Sequence, residues 1–303
     1  MRRVCVLLAA YNGQKWIKEQ IESILIQKDV ILDIYISLDV SSDNTLELIE
    51  NISNELSNLY ILPYGEKYGS AGRNFFRLLM DVDFSNYDYV SFSDQDDIWL
   101  ENKLISSIKN IENSYADAYS GNVIAFWSGG TKKLIKKDHP QKEFDYLFES
   151  AGPGCTFVLK KKLALHIKND LISNKDDIEQ LWLHDWYCYS HARSNGYKWV
   201  IGNQPLMLYR QHELNQVGAN SGMRAMLNRA KVVLSGEAFD KVIIQSNFIG
   251  QKEIPIQLLK KNTFSSLLHL LLLSMKCRRS NKEAVMFFIA VTLLSFKRLL
   301  GGA

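Results

Sequence analysis

The sequence predicts an α/β fold built on a doubly wound, mostly parallel sheet and followed by a helical tail of different character. Strand-like and helix-like patterns alternate through the first hundred residues, as expected for right-handed βαβ units. The first apolar run, residues 4–10, is continuous, which is typical of a parallel strand covered on both faces. The chain has 303 residues, of which 47% are hydrophobic and 23% charged, so its composition is that of an ordinary globular protein.

Each element of this first part rests on a local pattern. Residues 15–27 place apolar side chains at helical spacing, and the polar residues 41–44 open the next helix. Short β-branched or aromatic runs between the helices indicate strands. The predicted order is strand 4–10, helix 15–27, strand 33–38, helix 45–52, strand 59–62, helix 73–81 and strand 87–92.

Beyond residue 100 the pattern becomes mixed. Residues 122–127 and 132–135 flank a Ser-Gly-Gly-Thr turn, which predicts a hairpin. No internal repeat and no low-complexity linker interrupts this part. The remaining predictions are strands at 155–159, 198–201 and 206–209 and helices at 161–169 and 178–195.

The C-terminal part differs from the rest in charge. From residue 223 onward 13 Lys and Arg face 4 Asp and Glu, whereas the first 222 residues carry 23 against 29. The two apolar runs there, 267–275 and 284–296, are shorter than the ~20 residues that span a bilayer. Two alternatives stay open: helices lying in an anionic membrane interface, with the basic residues 276–282 at the headgroups, or helices packed on the main domain.

The four cysteines, Cys5, Cys155, Cys188 and Cys277, show no CxxC spacing and lie in apolar or mixed stretches. Reduced thiols in a cytoplasmic protein are therefore expected. The N-terminal apolar run is at the short limit for a signal peptide and leads directly into a turn and a helical pattern, so a first buried strand is the better interpretation.

The most informative stretch is Asp94-Gln95-Asp96-Asp97, directly after the run 87–93. Asp94 and Asp96 are one residue apart, so on extended backbone they project from the same face. Such a pair can close on one hard cation, Mg²⁺ or Mn²⁺, that also holds a phosphate-bearing substrate. The alternative is a solvated acidic turn in which Asp97 caps a helix beginning near Ile98.

Other candidate residues follow the neighbouring strands. Ligands of open α/β sheets bind beyond the carboxyl ends of the strands, where Tyr11 and Asp39 are predicted to lie. Tyr11 suits stacking on a base and Asp39 suits accepting a pyrimidine N–H; the alternatives are packing for Tyr11 and helix capping for Asp39. The chain has neither GxGxxG after the first strand nor GxxxxGK[ST], which argues against dinucleotide dehydrogenases and P-loop NTPases.

Four ordered motifs, at residues 10–13, 39–45, 69–74 and 92–99, resemble family 2 glycosyltransferases. The likeness covers about residues 3–215. It implies the GT-A fold, with a nucleotide-sugar half at about 1–100 and an acceptor half at 101–221, ahead of the tail at 222–303. It also implies a nucleoside diphosphate sugar donor, Mg²⁺ or Mn²⁺ as cofactor, and transfer with inversion.

The motif Asp-Gln-Asp-Asp-Ile-Trp is similar to that of rhamnosyltransferase-like enzymes that build bacterial surface polysaccharides. That similarity implies dTDP-rhamnose as donor, while glucose, galactose and N-acetylglucosamine stay open. The acids usually paired after the second strand are Asp39-Val40 here, which leaves the nucleobase open as well. The expected acceptor is a growing, lipid-linked glycan at the inner face of the cell membrane, and no nucleic acid is expected as a partner.

The resemblance assigns roles residue by residue. Asp185, in Leu183-His184-Asp185-Trp186, is the expected catalytic base, the alternative being a helix N-terminal residue favoured by the macrodipole. Trp186 offers an apolar face to a sugar or belongs to the core, and His212 is a metal ligand or structural. The implied nucleotide-sugar residues are Ala10, Tyr11, Asp39, Arg73, Asp94 and Gln95; the metal ligands are Asp96, Asp94 and His212; the acceptor-side or diphosphate residues are Gly154, Cys155, Thr156, Trp186 and Arg210.

Two other functions compete with sugar transfer. A nucleotidyltransferase also joins a doubly wound sheet to an Asp-bound metal, but it needs a glycine-rich basic loop, and Gly13-Gln14-Lys15 is sparse. A non-catalytic, membrane-associated glycan-binding protein on a degenerate GT-A fold is the other alternative. Release of nucleoside diphosphate from a sugar donor distinguishes these from a transferase.

Overall fold

The computed structural model describes residues 1–212 and 236–299 and has the predicted mixed α/β fold with C-terminal helices. The described residues form two compact units. The first contains residues 1–138 and 151–212, and the second contains 139–150 and 236–299. The predicted boundary between acceptor half and tail, at 221–222, lies outside the described residues, and the segment 139–150 clusters with the C-terminal helices.

The first unit is organised by a seven-stranded, mostly parallel sheet. Its interior strand β1 is buried from Val4 to Ala10, as its continuous apolar run predicts. Only β9 runs antiparallel to its neighbours, β4 and β6. In spatial order the strands are β10 (Trp199–Gly202), β6 (Ala118–Gly121), β9 (Val158–Lys160), β4 (Tyr89–Ser93), β1 (Arg2–Ala10), β2 (Val30–Leu38) and β3 (Leu59–Ile61).

A smaller, four-stranded sheet lies in the same unit. It contains the predicted hairpin, in which β7 and β8 pair antiparallel. The last strand, β11, pairs parallel with β7 and antiparallel with β5. The end of the first unit is thereby brought next to the segment that follows β4. The strands, in spatial order, are β5 (Ile98–Trp99), β11 (Met207–Gln211), β7 (Val123–Trp127) and β8 (Lys132–Ile135).

Six α-helices belong to the first unit, and two local predictions there are wrong. The strand predicted at 155–159 begins instead as a 3₁₀ turn over Gly154–Thr156, which leaves only Val158–Lys160 in the sheet. The helix predicted at 178–195 begins at His184, because residues 181–183 run extended past Gly72, where an added Cβ would lie 2.7 Å from the Trp182 carbonyl oxygen. The helices are α1 (Ile17–Leu25), α2 (Thr45–Glu55), α3 (Ala71–Asp81), α4 (Lys103–Asn113), α5 (Lys161–Ser173) and α6 (His184–Ser194).

The second unit is helical and surrounds a 3₁₀ turn at Asp145–Leu147. Its core contains aromatic contacts such as Phe148 against Phe287, whose ring centroids are 4.8 Å apart. Among the residues the structure describes, no helix combines the length and apolar character that crossing a membrane requires. The helices are α7 (Glu237–Ile249), α8 (Ile254–Lys261), α9 (Phe264–Leu272), α10 (Ser274–Cys277) and α11 (Asn281–Leu299).

A buried ion pair connects this turn to the chain between α10 and α11. The guanidinium of Arg279 lies 3.2 Å from the Asp145 carboxylate and 3.4 Å from that of Glu149, and all three side chains are almost inaccessible to water. Burial raises the pKa of Glu149, and the charge of Arg279 opposes that rise. Removal of Arg279 would leave the buried Asp145 carboxylate and the largely buried one of Glu149 without this cation, and breaking a buried pair in this way is strongly destabilising.

Arg279→Met should therefore lower the free energy of unfolding of the full chain by about 3–5 kcal/mol, as expected when one partner of a buried pair is removed. Urea denaturation followed by circular dichroism measures the change. The matched control is Lys276→Met, because Lys276 pairs with Glu143 at an exposed site and should contribute about 0–1 kcal/mol. Equal effects of the two substitutions would contradict the assignment.

Candidate active site

The carboxyl end of β1 is held by the side chain of Gln95. Its Nε2 donates to the Tyr11 carbonyl at 2.7 Å, and its Oε1 accepts from the Tyr11 N–H at 2.8 Å. A Cβ on Gly13 would lie 2.3 Å from Gln95 Oε1, so this contact requires glycine there. The amide of Gln95 is thus engaged with backbone, while the ring of Tyr11 is 54% exposed and presents a face for stacking.

Asp39 orders the loop that precedes α3. Its buried carboxylate accepts the N–H groups of Tyr68 at 2.9 Å and Gly69 at 2.7 Å, as well as that of Val40. The capping alternative is wrong, because α2 is preceded by Asn44 as its N-cap residue. Sequence reasoning anticipated neither the loop contact nor its partners, since Tyr68 and Gly69 are some thirty residues away.

The same loop is held from α3. Ser70 caps that helix by accepting from the Arg73 N–H, and the Arg73 guanidinium donates to the Glu179 carbonyl at 3.1 Å. Arg77, which sequence reasoning missed, is buried and donates to Ser37 Oγ at 3.0 Å and to the Pro63 carbonyl at 2.6 Å. The only signal for it was an arginine within an otherwise apolar helical run.

The acids after β4 lie in an irregular segment, so the same-face argument for Asp94 and Asp96 is wrong. β4 ends at Ser93, and the two carboxylates have different neighbours. Asp96 Oδ2 lies 2.7 Å from His212 Nε2. Asp94 instead approaches Asp97 and Cys155, and one ligand atom from each lies within 4.8 Å of the others. The capping alternative for Asp97 is wrong too, because Ile98–Trp99 is a strand and α4 begins at Lys103.

The end of β11 closes over these acids. Arg210 donates its backbone N–H to Asp97 Oδ1 at 3.0 Å and its Nε to the Asp96 carbonyl at 2.7 Å. Its guanidinium also pairs with Glu19, and the ring of His212 stacks on Trp16 with centroids 4.1 Å apart. Arg210 and His212 therefore contact the acidic segment, although more than a hundred residues separate both of them from it in the sequence. Sequence reasoning missed the α1 partners Trp16 and Glu19.

Burial and mutual repulsion raise the pKa values of these acids. The pKa of Asp94 is raised to about 7, first by burial and then by the charges of Asp96 and Asp185. That of Asp97 is raised well above its ordinary range by burial, with Asp96 and Asp94 adding to the rise. Asp185 on α6 thus lies close enough to act on Asp94, so base candidate and acidic segment share one site.

These residues fit a hard divalent cation. Asp97 Oδ2 is fully buried and accepts no hydrogen bond from any residue in the described ranges. Carboxylate oxygens suit Mg²⁺ and Mn²⁺, and the imidazole of His212 is compatible with Mn²⁺. Cys155 is the least suitable of the grouped ligands, because burial raises the pKa of its thiol and keeps it protonated.

The acceptor-side loop packs tightly on the start of α6. A Cβ on Gly154 would lie 2.3 Å from His184 Nε2 and 3.3 Å from the Asp185 side chain. Thr156 donates its hydroxyl to the Pro153 carbonyl at 2.7 Å, so this group serves the loop itself. Trp186 is only 6% exposed and belongs to the core, whereas Trp182, which sequence reasoning missed, is 50% exposed.

His184 is a buried, uncharged neighbour of Asp185. Its ring stacks on Phe75 with centroids 3.9 Å apart, and neither ring nitrogen has a hydrogen-bond partner among the described residues. Burial lowers its pKa from 6.5 to about 3. The ring is therefore neutral at physiological pH and adds no positive charge beside Asp185.

Comparison with known proteins agrees with this geometry. Residues 5–166 match the family model "Glycosyl transferase family 2". The dTDP-rhamnosyl transferase RfbG of Shigella flexneri is 48% identical over 227 residues, which cover 75% of this chain and 78% of that protein. The UDP-Glc:alpha-D-GlcNAc-diphosphoundecaprenol beta-1,3-glucosyltransferase WfgD of Escherichia coli is 27% identical over 59% of this chain and 68% of its own length.

A solved structure confirms the fold. Residues 1–349 of S. aureus TarS, in complex with UDP-GlcNAc, superpose with a TM-score of 0.57 over 99% of this chain and 92% of that one, at 14% identity. The GT-A prediction is thereby confirmed. Together with the family match, the 48% relative decides for a glycosyltransferase over the nucleotidyltransferase and non-catalytic alternatives.

His184→Phe should reduce the pH dependence of the free energy of unfolding at acidic pH. Because the folded-state pKa of His184 lies below the unfolded one, its neutral form contributes fully above pH 6.5, and this contribution is lost as the pH falls from 6.5 toward 3. The free energy of unfolding should therefore decline less steeply across this window in the variant than in the unsubstituted protein. Urea titrations at a series of pH values give both curves. Parallel curves would show that burial of this ring is not linked to protonation.

Proposed function

The chain belongs to glycosyl transferase family 2, and we propose that it transfers rhamnose from dTDP-rhamnose, with inversion, to a growing lipid-linked surface glycan. The donor is supported by the 48% identity to a protein named dTDP-rhamnosyl transferase. The acceptor class is supported more distantly, by a relative whose name specifies a diphosphoundecaprenol-linked substrate. Such an acceptor would place the reaction at the inner face of the cell membrane.

The observation that carries the proposed chemistry is that one short loop contacts both groups of acids: a Cβ on Gly154 would lie 3.3 Å from the Asp185 side chain, and Cys155 Sγ lies within 4.8 Å of a carboxylate oxygen of Asp94 and of Asp97. Asp185 and the acids after β4 therefore flank the same loop. The donor diphosphate belongs on the acidic side, where Arg210 and His212 also lie. The acceptor hydroxyl belongs on the α6 side, next to Asp185.

The residues of the chain then divide the reaction. Asp185 takes the proton of the acceptor hydroxyl while the hydroxyl oxygen attacks the anomeric carbon. The bond from that carbon to the diphosphate breaks on the opposite face. Attack from the face opposite the leaving group inverts the anomeric configuration. One carboxylate suffices, in contrast to the two that glycosidases use. Tyr11, whose backbone is held by Gln95, presents its exposed ring to the nucleobase of the donor.

Asp94, Asp96 and His212 would hold Mg²⁺ or Mn²⁺ in the proposed complex, and the Asp97 carboxylate, within 4.8 Å of that of Asp94, is a further candidate ligand. When bound, the ion neutralises the diphosphate and so makes it a better leaving group. The family resemblance implies that Asp96 is the stronger ligand of the two acids, and His212 Nε2 lies 2.7 Å from its Oδ2. Arg210 adds a fixed positive charge, which remains partly committed to Glu19.

Asp185→Asn should lower turnover by about 10²–10⁴-fold, the usual contribution of a general base, while the KM for dTDP-rhamnose changes little. Release of dTDP in the presence of acceptor measures turnover. The control is Asp176→Asn, which changes an exposed acid of the 3₁₀ turn before α6. Near-normal turnover of Asp185→Asn would rule out this base.

Asp96→Ala should make donor binding independent of Mn²⁺. In the unsubstituted protein Mn²⁺ should tighten dTDP binding, and the variant should lose at least about 10–100-fold of that affinity, the range seen when even an outer-shell partner of a metal is removed. Isothermal titration with dTDP, with Mn²⁺ and then with EDTA, measures both states. Asp83→Ala, an exposed acid outside the site, is the control. Mn²⁺-dependent binding that persists in Asp96→Ala would refute the ligand assignment.

A further inference from the structure

The second unit carries a helix that is apolar on both sides. One side of α11 faces the interior of the unit, where Phe287 and Val291 are buried. The opposite side is exposed along the whole helix; we call it the outer face of α11. Its large apolar residues are between 41% and 57% exposed, and they are Val285, Met286, Phe288, Ile289, Leu293, Phe296 and Leu299.

Such a face needs a cover. A helix that is hydrophobic all round is normally buried in protein or in lipid, and here the unit covers only one side. Contiguous exposed apolar surface of this kind marks an interaction site. From Ala284 to Phe296 the helix has no charged residue, a stretch of about 20 Å, too short to cross the ~30 Å core of a bilayer.

The charges of the unit indicate what the cover is. Between residues 236 and 299, ten Lys and Arg stand against four Asp and Glu. Basic residues lie at both ends of α11, with Lys282 before the uncharged stretch and Lys297 and Arg298 after it. An apolar face flanked by exposed basic residues is the pattern of helices that lie in an anionic membrane interface. A second copy of the same face would bring like charges together.

We propose that the second unit docks on an anionic lipid bilayer through the outer face of α11, with Lys282 and Lys297 at the headgroups. The occupant is an anionic phospholipid in a membrane. This inference extends the proposed location of the reaction, but it rests on the surface of the second unit and not on the transfer chemistry. It takes the first of the two alternatives that the sequence left open for the tail.

The apolar part is tested with the full chain and sedimented vesicles, either of phosphatidylcholine alone or of equal parts of phosphatidylcholine and phosphatidylglycerol. The protein should bind the mixed vesicles preferentially. Ile289→Ser with Phe296→Ser should weaken that binding by about tenfold or more, because two large side chains no longer leave water. The matched control is Ile31→Ser with Ile172→Ser, which removes equally exposed apolar side chains from the first unit.

The flanking charges are tested separately. Lys282→Gln with Lys297→Gln should reduce binding to the mixed vesicles by about tenfold or more and leave the weak binding to phosphatidylcholine unchanged. Lys260→Gln with Lys261→Gln removes the same charge from α8 and should have a clearly smaller effect. Equal effects of the two double variants would overturn the role of the charges at the ends of α11.

Two further results would overturn the docking face itself. One is binding to vesicles that Ile289→Ser with Phe296→Ser leaves unchanged. The other is a dimer in sedimentation velocity that the same double variant converts to monomer, which would assign the face to a second copy. Donor turnover in solution is measured on every variant and should be retained, so a failure of the proposed transfer chemistry is seen separately from a failure of docking.

Discussion

The active site depends on the repulsion among carboxylates that the fold holds together at one edge of its main sheet. Asp94, Asp96 and Asp97 follow a single buried strand, and the charge of Asp185 on α6 adds to the pKa rise of Asp94. Burial removes the water that would screen them, so the pKa values of Asp94 and Asp97 rise. The site is therefore most stable when it contains positive charge, and Arg210 supplies only part of it.

The surrounding structure holds these acids in place against that repulsion. β11 brings the backbone N–H of Arg210 to Asp97, and the same guanidinium spans Asp96 and Glu19. On the opposite side, Gly154 lets the acceptor-side loop approach His184 and Asp185 at a distance that no side chain would permit. Uncharged His184 contributes packing on Phe75 without adding a charge to the site.

Local patterns in the sequence were sufficient for the fold but not for the contacts of the site. The apolar run of β1 and the alternation after it identified the sheet, because burial on both faces leaves a direct trace in composition. The family resemblance implied Asp96 and His212 as separate metal ligands, and the structure places Asp96 Oδ2 2.7 Å from His212 Nε2. The same-face argument for Asp94 and Asp96 failed because it assumed extended backbone, whereas β4 ends one residue earlier. The roles of Arg77 and Trp16 in the site were missed because their partners lie on other elements. Local periodicity in the sequence does not indicate such contacts.

The tail shows the same limit from the other side. Its apolar runs predicted helices, and the structure has α9 and α11 there. The sequence alone does not distinguish an apolar residue that faces protein from one that faces lipid. Only the structure separates Phe287, which packs against Phe148, from Phe288, which is 48% exposed one position later. Arg279 belongs to the interior by the same criterion, because it neutralises Asp145 and Glu149, whereas Lys282 and Lys297 remain at the surface. The basic charge of the tail thus has two physical roles, one that stabilises the unit and one that is available to an anionic partner.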